Sequence, residues 1–290
     1  MIQVFVKDKE LQYQGVSFHA DFKKLVTEFH ITNPIPIMSE ITVKDDNFST
    51  ELTPFGWLQL SDKQVTSIFV HKNYLDLSTK VFEPVMGEFT FEAMCQNQGI
   101  SVTRNKNSQS HYWEIPALRY PEFIKYVMDR IDIVDGGGCL MTIGLDGNLL
   151  LIDPNTALSA NKQVKLIGQI KSQSKDVSWM NRYPGEIELT QQFIDSEETN
   201  TYTFKENYLT QKITEFITND KLAYETELIY RNRFLRMYYT ATQLRIRTQD
   251  GVWLAPGTPV TINEFDDVYF VVSSELFANG ECEFYVAGKP

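Results

Sequence analysis

Four histidines, three cysteines and several carboxylate groups are the residues of this chain that could do chemistry, and their spacing decides what chemistry is open to them. His19, His30, His71 and His111 are dispersed, with no HExxH and no Cys/His cluster, so no ready set of metal ligands exists. His19 and His30 fall on the polar side of strand-like alternation, where an imidazole is solvated or hydrogen-bonded. Cys95, Cys139 and Cys282 lie far apart and form no CxxC. An odd, scattered set gives no complete disulfide framework and reads as buried free thiols in a reducing compartment. Ser159–Lys162 and Ser172–Lys175 match S-x-x-K, but neither serine opens a helix, and no partner KTG, SDN or G-x-S-x-G occurs.

Phosphate and ion chemistry fare no better. Gly136-Gly137-Gly138 follows a helical pattern instead of preceding one, and no Lys-Ser/Thr comes after it; a phosphate cradle needs the amides of a helix N-terminus. Glu264, Asp266 and Asp267 cluster, as do Asp195, Glu197 and Glu198. Neither group has calcium-loop spacing, and both read as solvated turns. Asn47-Phe48-Ser49 is a glycosylation sequon by letter, with no secretory signal beside it. The expectation is a chain with no catalytic, cofactor-binding or metal residues, and therefore not an enzyme.

One charge feature stands out. Arg231, Arg233, Arg236, Arg245 and Arg247 fall within seventeen residues of an otherwise acidic chain. They form either a solvated helix and strand face or a candidate subunit interface, with guanidinium groups pairing to a neighbour's carboxylates. The net charge of −11 and the pI near 4.9 exclude a surface built to grip nucleic acid. They suit a surface that DNA passes without sticking.

The elements that must position these residues are mostly strands. With 290 residues the chain buries roughly three quarters of its unfolded surface, and an aromatic share of 13% leans toward β structure. The N-terminus lacks the apolar core of a signal peptide, and no run approaches the ~18 apolar residues of a membrane span. Val16, Phe18, Ala20 and Phe22 alternate with polar residues, and Leu25, Phe29 and Ile31 continue that period of two. Asn33-Pro34-Ile35-Pro36 breaks it. Further strands are expected at 40–43, 56–60 and 65–71. Between Val81 and Val102 two readings stay open, since Phe89, Phe91 and Ala93 alternate while Phe91, Ala93, Met94 and Cys95 suit a short helix.

The central stretch is the most legible. A strand-like run at Tyr112–Ile115 leads to a helix opened by Pro121, with Phe123, Ile124, Val127, Met128 and Ile131 on its apolar face and Glu122, Lys125, Asp129 and Arg130 opposite. The triple glycine ends it. Leu140–Ile143 and 148–152 then pair across an Asp146-Gly147 turn and finish Leu149-x-Leu151-x-Asp153. In the second arm, 186–190 and 201–204 alternate, and a second helix is expected from Asp220 to about Tyr239. Strands follow at 244–247, at 260–262 after Ala255-Pro256-Gly257, and at 268–273 and 281–286. Domain boundaries are drawn at 1–85, 86–163 and 164–290.

This order of elements resembles the baseplate hub proteins of contractile-tailed phages and the related trunk of type VI secretion spikes, the late control D family. The matching positions are Tyr112–Ile115, Pro121–Ile131, Gly136–Gly138 and Leu149–Asp153 in the centre, then Leu222–Tyr239, Leu244–Arg247, Leu254–Gly257 and Val268–Val286. The resemblance implies an α+β, mainly β fold, in which two tube-like antiparallel β-barrel domains flank an inserted small α/β region. It implies a structural virion protein of the tail baseplate, assembled in the host cytoplasm. As a homotrimer it would present six barrels to a hexameric tail tube, with a tail tube protein on one face, a separate spike protein on the other and further baseplate proteins around it. DNA or a tape-measure protein would pass through without specific binding. Two other classes remain: a β-rich carbohydrate- or receptor-binding protein using Trp57, Trp113, Trp179 and Trp253 as stacking platforms, and a hydrolase whose site is assembled from distant residues.

Overall fold

The computed structural model describes residues 2–21, 25–45, 48–133, 136, 138–175, 186–192, 199–205, 212–217, 228–229, 232–233, 235–236, 238–249, 254–263, 265–277 and 279–289. Strands dominate, and they are mostly antiparallel. The alternation between Val16 and Ile31 is that of two strands, Gly15–Asp21 and Val26–Asn33, which fold back on each other with Phe18 opposite Phe29. Leu25, expected as a strand residue, sits just before the second strand with φ +61° and is buried. That backbone conformation is costly for a branched residue away from a turn, so the turn is held by the burial of the Leu25 side chain.

From this hairpin the sheet grows in both directions. On one side come Gln64–His71, Phe48–Ser61, Ile41–Asp45, Gln3–Val6 and Lys9–Glu10. On the other side Phe265–Phe277 pairs with Gly15–Asp21, placing Ser273 opposite His19 and Glu275 opposite Ser17. Cys282–Gly288, Thr242–Thr248 and Gly168–Lys175 follow. The first and last thirds of the sequence thus share one sheet of 16 strands. Its main path is open at both ends, and the described strands form no closed barrel.

α1 (Lys72–Thr79) follows the last long strand of the first arm, and α2 (Phe91–Asn97), α3 (Tyr120–Arg130) and α4 (Pro154–Leu158) lie in the stretch 86–163 that the sequence reading drew as the insertion. The ambiguity after Val81 resolves into both readings in sequence. Val85–Phe89 is a strand paired with His111–Ile115, and α2 starts at once behind it because the Thr90 hydroxyl accepts the Ala93 N–H at 3.2 Å, a side-chain N-cap. In α3, Pro121 is the second helical residue, where a missing N–H costs nothing. Leu140–Ile143 and Leu149–Ile152 pair as expected across Asp146-Gly147, with Gly147 at φ +78°. In the second arm, Glu186–Gln192 lies between Thr199–Lys205 and Lys212–Ile217 in a separate three-stranded sheet. Of the expected second helix, residues 228–229, 232–233, 235–236 and 238–239 are helical; Asp220 lies outside the described residues.

Among the described residues three apolar clusters fill the interior. One joins the two arms beneath the shared sheet, with Phe18, Phe29, Ile31 and Phe69 from the first and Ile246, Val271, Phe284 and Val286 from the second. The next is the insertion's own core around α3. The third packs Leu235, Tyr239, Leu140 and Ile152 onto Phe270 and Ala287. No described helix is long and apolar enough to cross a membrane.

Candidate functional site

The arginines marked by the sequence divide into two ionic groups. Arg233 and Arg236, three residues apart on one helical face, both reach Asp129 of α3. Arg233 Nε donates to Oδ2 at 2.7 Å and Arg236 Nη2 to Oδ1 at 2.8 Å. Asn232 adds hydrogen bonds to the backbone carbonyls of Asp129, at 3.0 Å, and Ile131, at 2.8 Å. Gly138 makes the approach possible: a Cβ there would sit 2.4 Å from the Asn232 carbonyl oxygen. Asp129, expected on the solvated face of its helix, is buried, and the contact ties the insertion to the second arm.

The other two described arginines lie on the face of the shared sheet opposite Leu244 and Ile246, which enter the apolar cluster between the arms. Arg245 pairs with Glu283, and Arg247 with Glu281 at 3.0 Å. Strand register arranges their neighbours in two rows. Glu28, His19, Ser273, Tyr285, Arg245 and Ser172 lie opposite one another in turn. His30, Ser17, Glu275, Glu283 and Arg247 form the second row. His30 Nε2 hydrogen-bonds Glu28 at 2.9 Å, His19 Nε2 lies 2.8 Å from the Ser17 hydroxyl, and the two rings are in contact, tilted by 44° with centroids 4.6 Å apart. Burial, reinforced by the Glu283 carboxylate, pushes the Glu275 carboxyl above its ordinary range against the pull of Arg245, His30 and Arg247. These polar rows cross the seam between the arms. Sequence spacing could not reveal them, because the residues that face each other across the seam, His19 and Ser273 or Ser17 and Glu275, lie more than two hundred and fifty positions apart.

Arg231 lies outside the described residues. Each of the other four arginines has a carboxylate of its own chain, while Arg233, Arg245 and Arg247 keep between a third and a half of their side-chain surface exposed.

Phe123, Ile124, Val127, Met128, Leu149 and Leu151 are buried in the insertion core. Asp153 is fully buried, and its carboxylate caps α4 by accepting the Thr156 N–H at 3.0 Å and the Thr156 hydroxyl at 2.6 Å. Pro256 and Gly257 form the expected turn. Gly257 has φ +84° and donates its N–H to the Val271 carbonyl at 2.8 Å.

The remaining chemistry-bearing residues do not converge. The three cysteines are free and buried; burial pushes the Cys282 thiol up to about 12 and raises those of Cys95 and Cys139 as well. Trp113 is buried and donates its Nε1–H to the Phe89 carbonyl at 2.9 Å, so it is no stacking platform. Trp57 is half exposed, and Trp179 and Trp253 lie outside the described residues, as do Asp195, Glu197, Glu198 and Glu264. Among the described residues no three His, Cys, Asp or Glu side chains gather as metal ligands.

No family model matches the sequence, and no curated protein matches it. Solved structures match along almost the whole chain. The tail protein from Neisseria meningitidis MC58 is 14% identical with a TM-score of 0.67, covering 99% of this chain and 95% of that one. The 43 kDa tail protein of prophage MuSo2 from Shewanella oneidensis is 13% identical with a TM-score of 0.64, covering 99% and 98%. Prophage tail protein gp18 from Listeria monocytogenes EGD-e is 12% identical with a TM-score of 0.59, covering 99% and 94%. At such identities the likeness is one of fold.

Proposed function

We propose that this chain is a structural baseplate hub of a contractile phage tail or a related injection machine, a trimeric adaptor joining a hexameric tail tube to a separate central spike. The observation that carries the reading is the whole-length fold likeness to three tail proteins. The seam between the arms supports it, because a hub must transmit load between its two β units without a hinge. Here Phe265–Phe277 and Gly15–Asp21 are joined by continuous ladder pairing over a common apolar core.

In this proposal residues 1–85 and 164–290 act as two tube-like β units and 86–163 as the insertion that braces them. Three chains then offer six β units to a six-fold tube. The net charge of −11 keeps a passing polyanion from adhering. Guanidinium groups have five N–H donors, so Arg233, Arg245 and Arg247 retain donors for a neighbour's carboxylates beyond those that their in-chain partners use.

Light scattering on the purified protein tests this, followed by negative-stain imaging. The expected result is a particle of three 33.5 kDa chains that forms a ring with a central hole. A compact monomer at every concentration, with no ring alone or with a tube protein, rejects the hub. Binding of that monomer to a glycan array would select the carbohydrate- or receptor-binding reading.

A further inference from the structure

A cavity of about 320 Å³ opens where the two β arms and the insertion meet. Thr27 and Thr50 come to it from the first arm, Leu145 and Leu150 from the insertion hairpin, and Ala255 and Pro256 from the turn of the second arm. Its place at the junction of three regions, at the edge of a β-sheet core, is one where ligand sites concentrate, and its volume is at the lower end of their range.

The lining hydroxyls are not equivalent. Thr50 donates to the Leu145 carbonyl at 2.6 Å, and the Thr103 hydroxyl accepts from Asn148 Nδ2 at 3.3 Å. The Thr27 hydroxyl belongs to a residue only 2% exposed and has no hydrogen-bond partner among the described residues. Leaving such a group unmet is costly, and any molecule that supplies a partner recovers part of that. The charge pattern narrows the class. Among the described residues no Lys, Arg or His lines the cavity. Its ionisable group is Asp146, whose carboxylate already accepts the Asn148 N–H at 3.1 Å and Asn148 Nδ2 at 2.8 Å. Anions are therefore repelled and cations gain no unengaged carboxylate. An apolar cavity of about 150 Å³ takes benzene, so this one has room for a ring and a short substituent.

We infer that this cavity binds a compact, uncharged, single-ring molecule bearing one hydroxyl or carbonyl group, which meets Thr27 while its ring packs on Leu145, Leu150, Ala255 and Pro256. The inference does not depend on the tail role.

The test uses the full chain with three probes, p-cresol, toluene and p-hydroxybenzoate, and reads binding by calorimetry and ligand-observed NMR. p-Cresol should bind saturably, about three- to tenfold tighter than toluene, as one hydrogen bond implies, and p-hydroxybenzoate should bind weakest. Thr27→Val keeps the shape and removes the hydroxyl; it should erase the preference for p-cresol while leaving toluene affinity unchanged. Leu150→Phe, which fills the space, should abolish both and serves as the second variant if Thr27→Val fails to fold. No saturable binding of any probe overturns the inference. So does equal affinity for p-cresol and toluene in the native chain, tightest binding of the anion, or a soaked crystal that places p-cresol elsewhere with only water on Thr27.

Discussion

Asp129 on α3 accepts a guanidinium N–H from Arg236 at 2.8 Å across 107 positions of sequence. Arg233 holds the other carboxylate oxygen, so one buried acid anchors two arginines of the second arm. Asp129→Asn keeps the shape but leaves both cations without a counter-charge. Removing one partner of a buried pair costs about 3–5 kcal/mol; because Arg233 is half exposed, solvent screening brings the expected loss to about 1–3 kcal/mol. Urea unfolding measures it. A double-mutant cycle with Arg236→Gln should show a coupling energy, and strict additivity would mean the contact carries no energy of its own.

Gly138 controls the same contact through its backbone. Its φ is +71°, and a Cβ would meet the Asn232 carbonyl oxygen at 2.4 Å and the Arg236 backbone nitrogen at 2.6 Å. Both obstacles are backbone atoms, so no side-chain rotation relieves them. Gly138→Ala should destabilise by about 2–4 kcal/mol, more than Gly280→Ala, where φ is also positive, at +83°, but the space is open. A thermal melt of the two variants side by side checks the order.

These two residues show what the sequence could and could not disclose. The i, i+3 spacing of Arg233 and Arg236 declared a common helical face, and the helix of 121–131 was legible from its period. The acceptor was not, since Asp129 sits among polar residues on the helix and nothing local tells a solvated carboxylate from one met by a distant arm. The shared sheet was hidden for the same reason. Alternation reveals that Gly15–Asp21 and Phe265–Phe277 are strands with one buried face, but not that they are neighbours. α1 escaped notice because it is about two turns long and Tyr74 and Leu77, the pair it lays against the insertion core, are only partly buried, too short a stripe for a period to show. α4 is a single turn set by Pro154 and the Asp153 cap, too short for any period.

His71 gives α1 its start, and it does so only when neutral. Its Nδ1 accepts the Asn73 N–H at 3.1 Å, and a protonated ring has no lone pair to offer. Burial lowers its pKa, with Asp146 pulling weakly the other way. The folded value is thus below the unfolded one, near 6.5. The unfolded chain binds the proton more readily, so the stability from His71 is complete above about pH 6.5 and declines as the pH falls through that value toward the folded pKa. His71→Asn keeps a capping acceptor that does not titrate and should flatten this dependence between pH 7 and 5. His71→Ala should cost about 1 kcal/mol at pH 8. An unchanged pH slope in both variants would remove His71 from the account.

Glu275 has the opposite sign and lies at the seam itself. Burial and the nearby Glu283 raise its pKa above the ordinary value of 4.5 despite the opposing cations. Its folded value is therefore above its unfolded one, so the folded state is the better proton acceptor. Stability from this group is present below the unfolded pKa and is lost as the pH rises through the folded pKa. At neutral pH the carboxylate works against the fold, opposite a Glu283 that already pairs with Arg245 of the neighbouring row. Glu275→Gln should therefore stabilise the protein at pH 7, by less than about 1 kcal/mol once solvent screening of this partly exposed group is allowed for, and have no such effect at pH 3.5, as read from urea midpoints at the two values. Glu283→Gln should do the reverse at pH 7 and destabilise, because it strips Arg245 of its partner. If both substitutions shift stability in the same direction at pH 7, the two glutamates are not the divided pair that the polar rows describe.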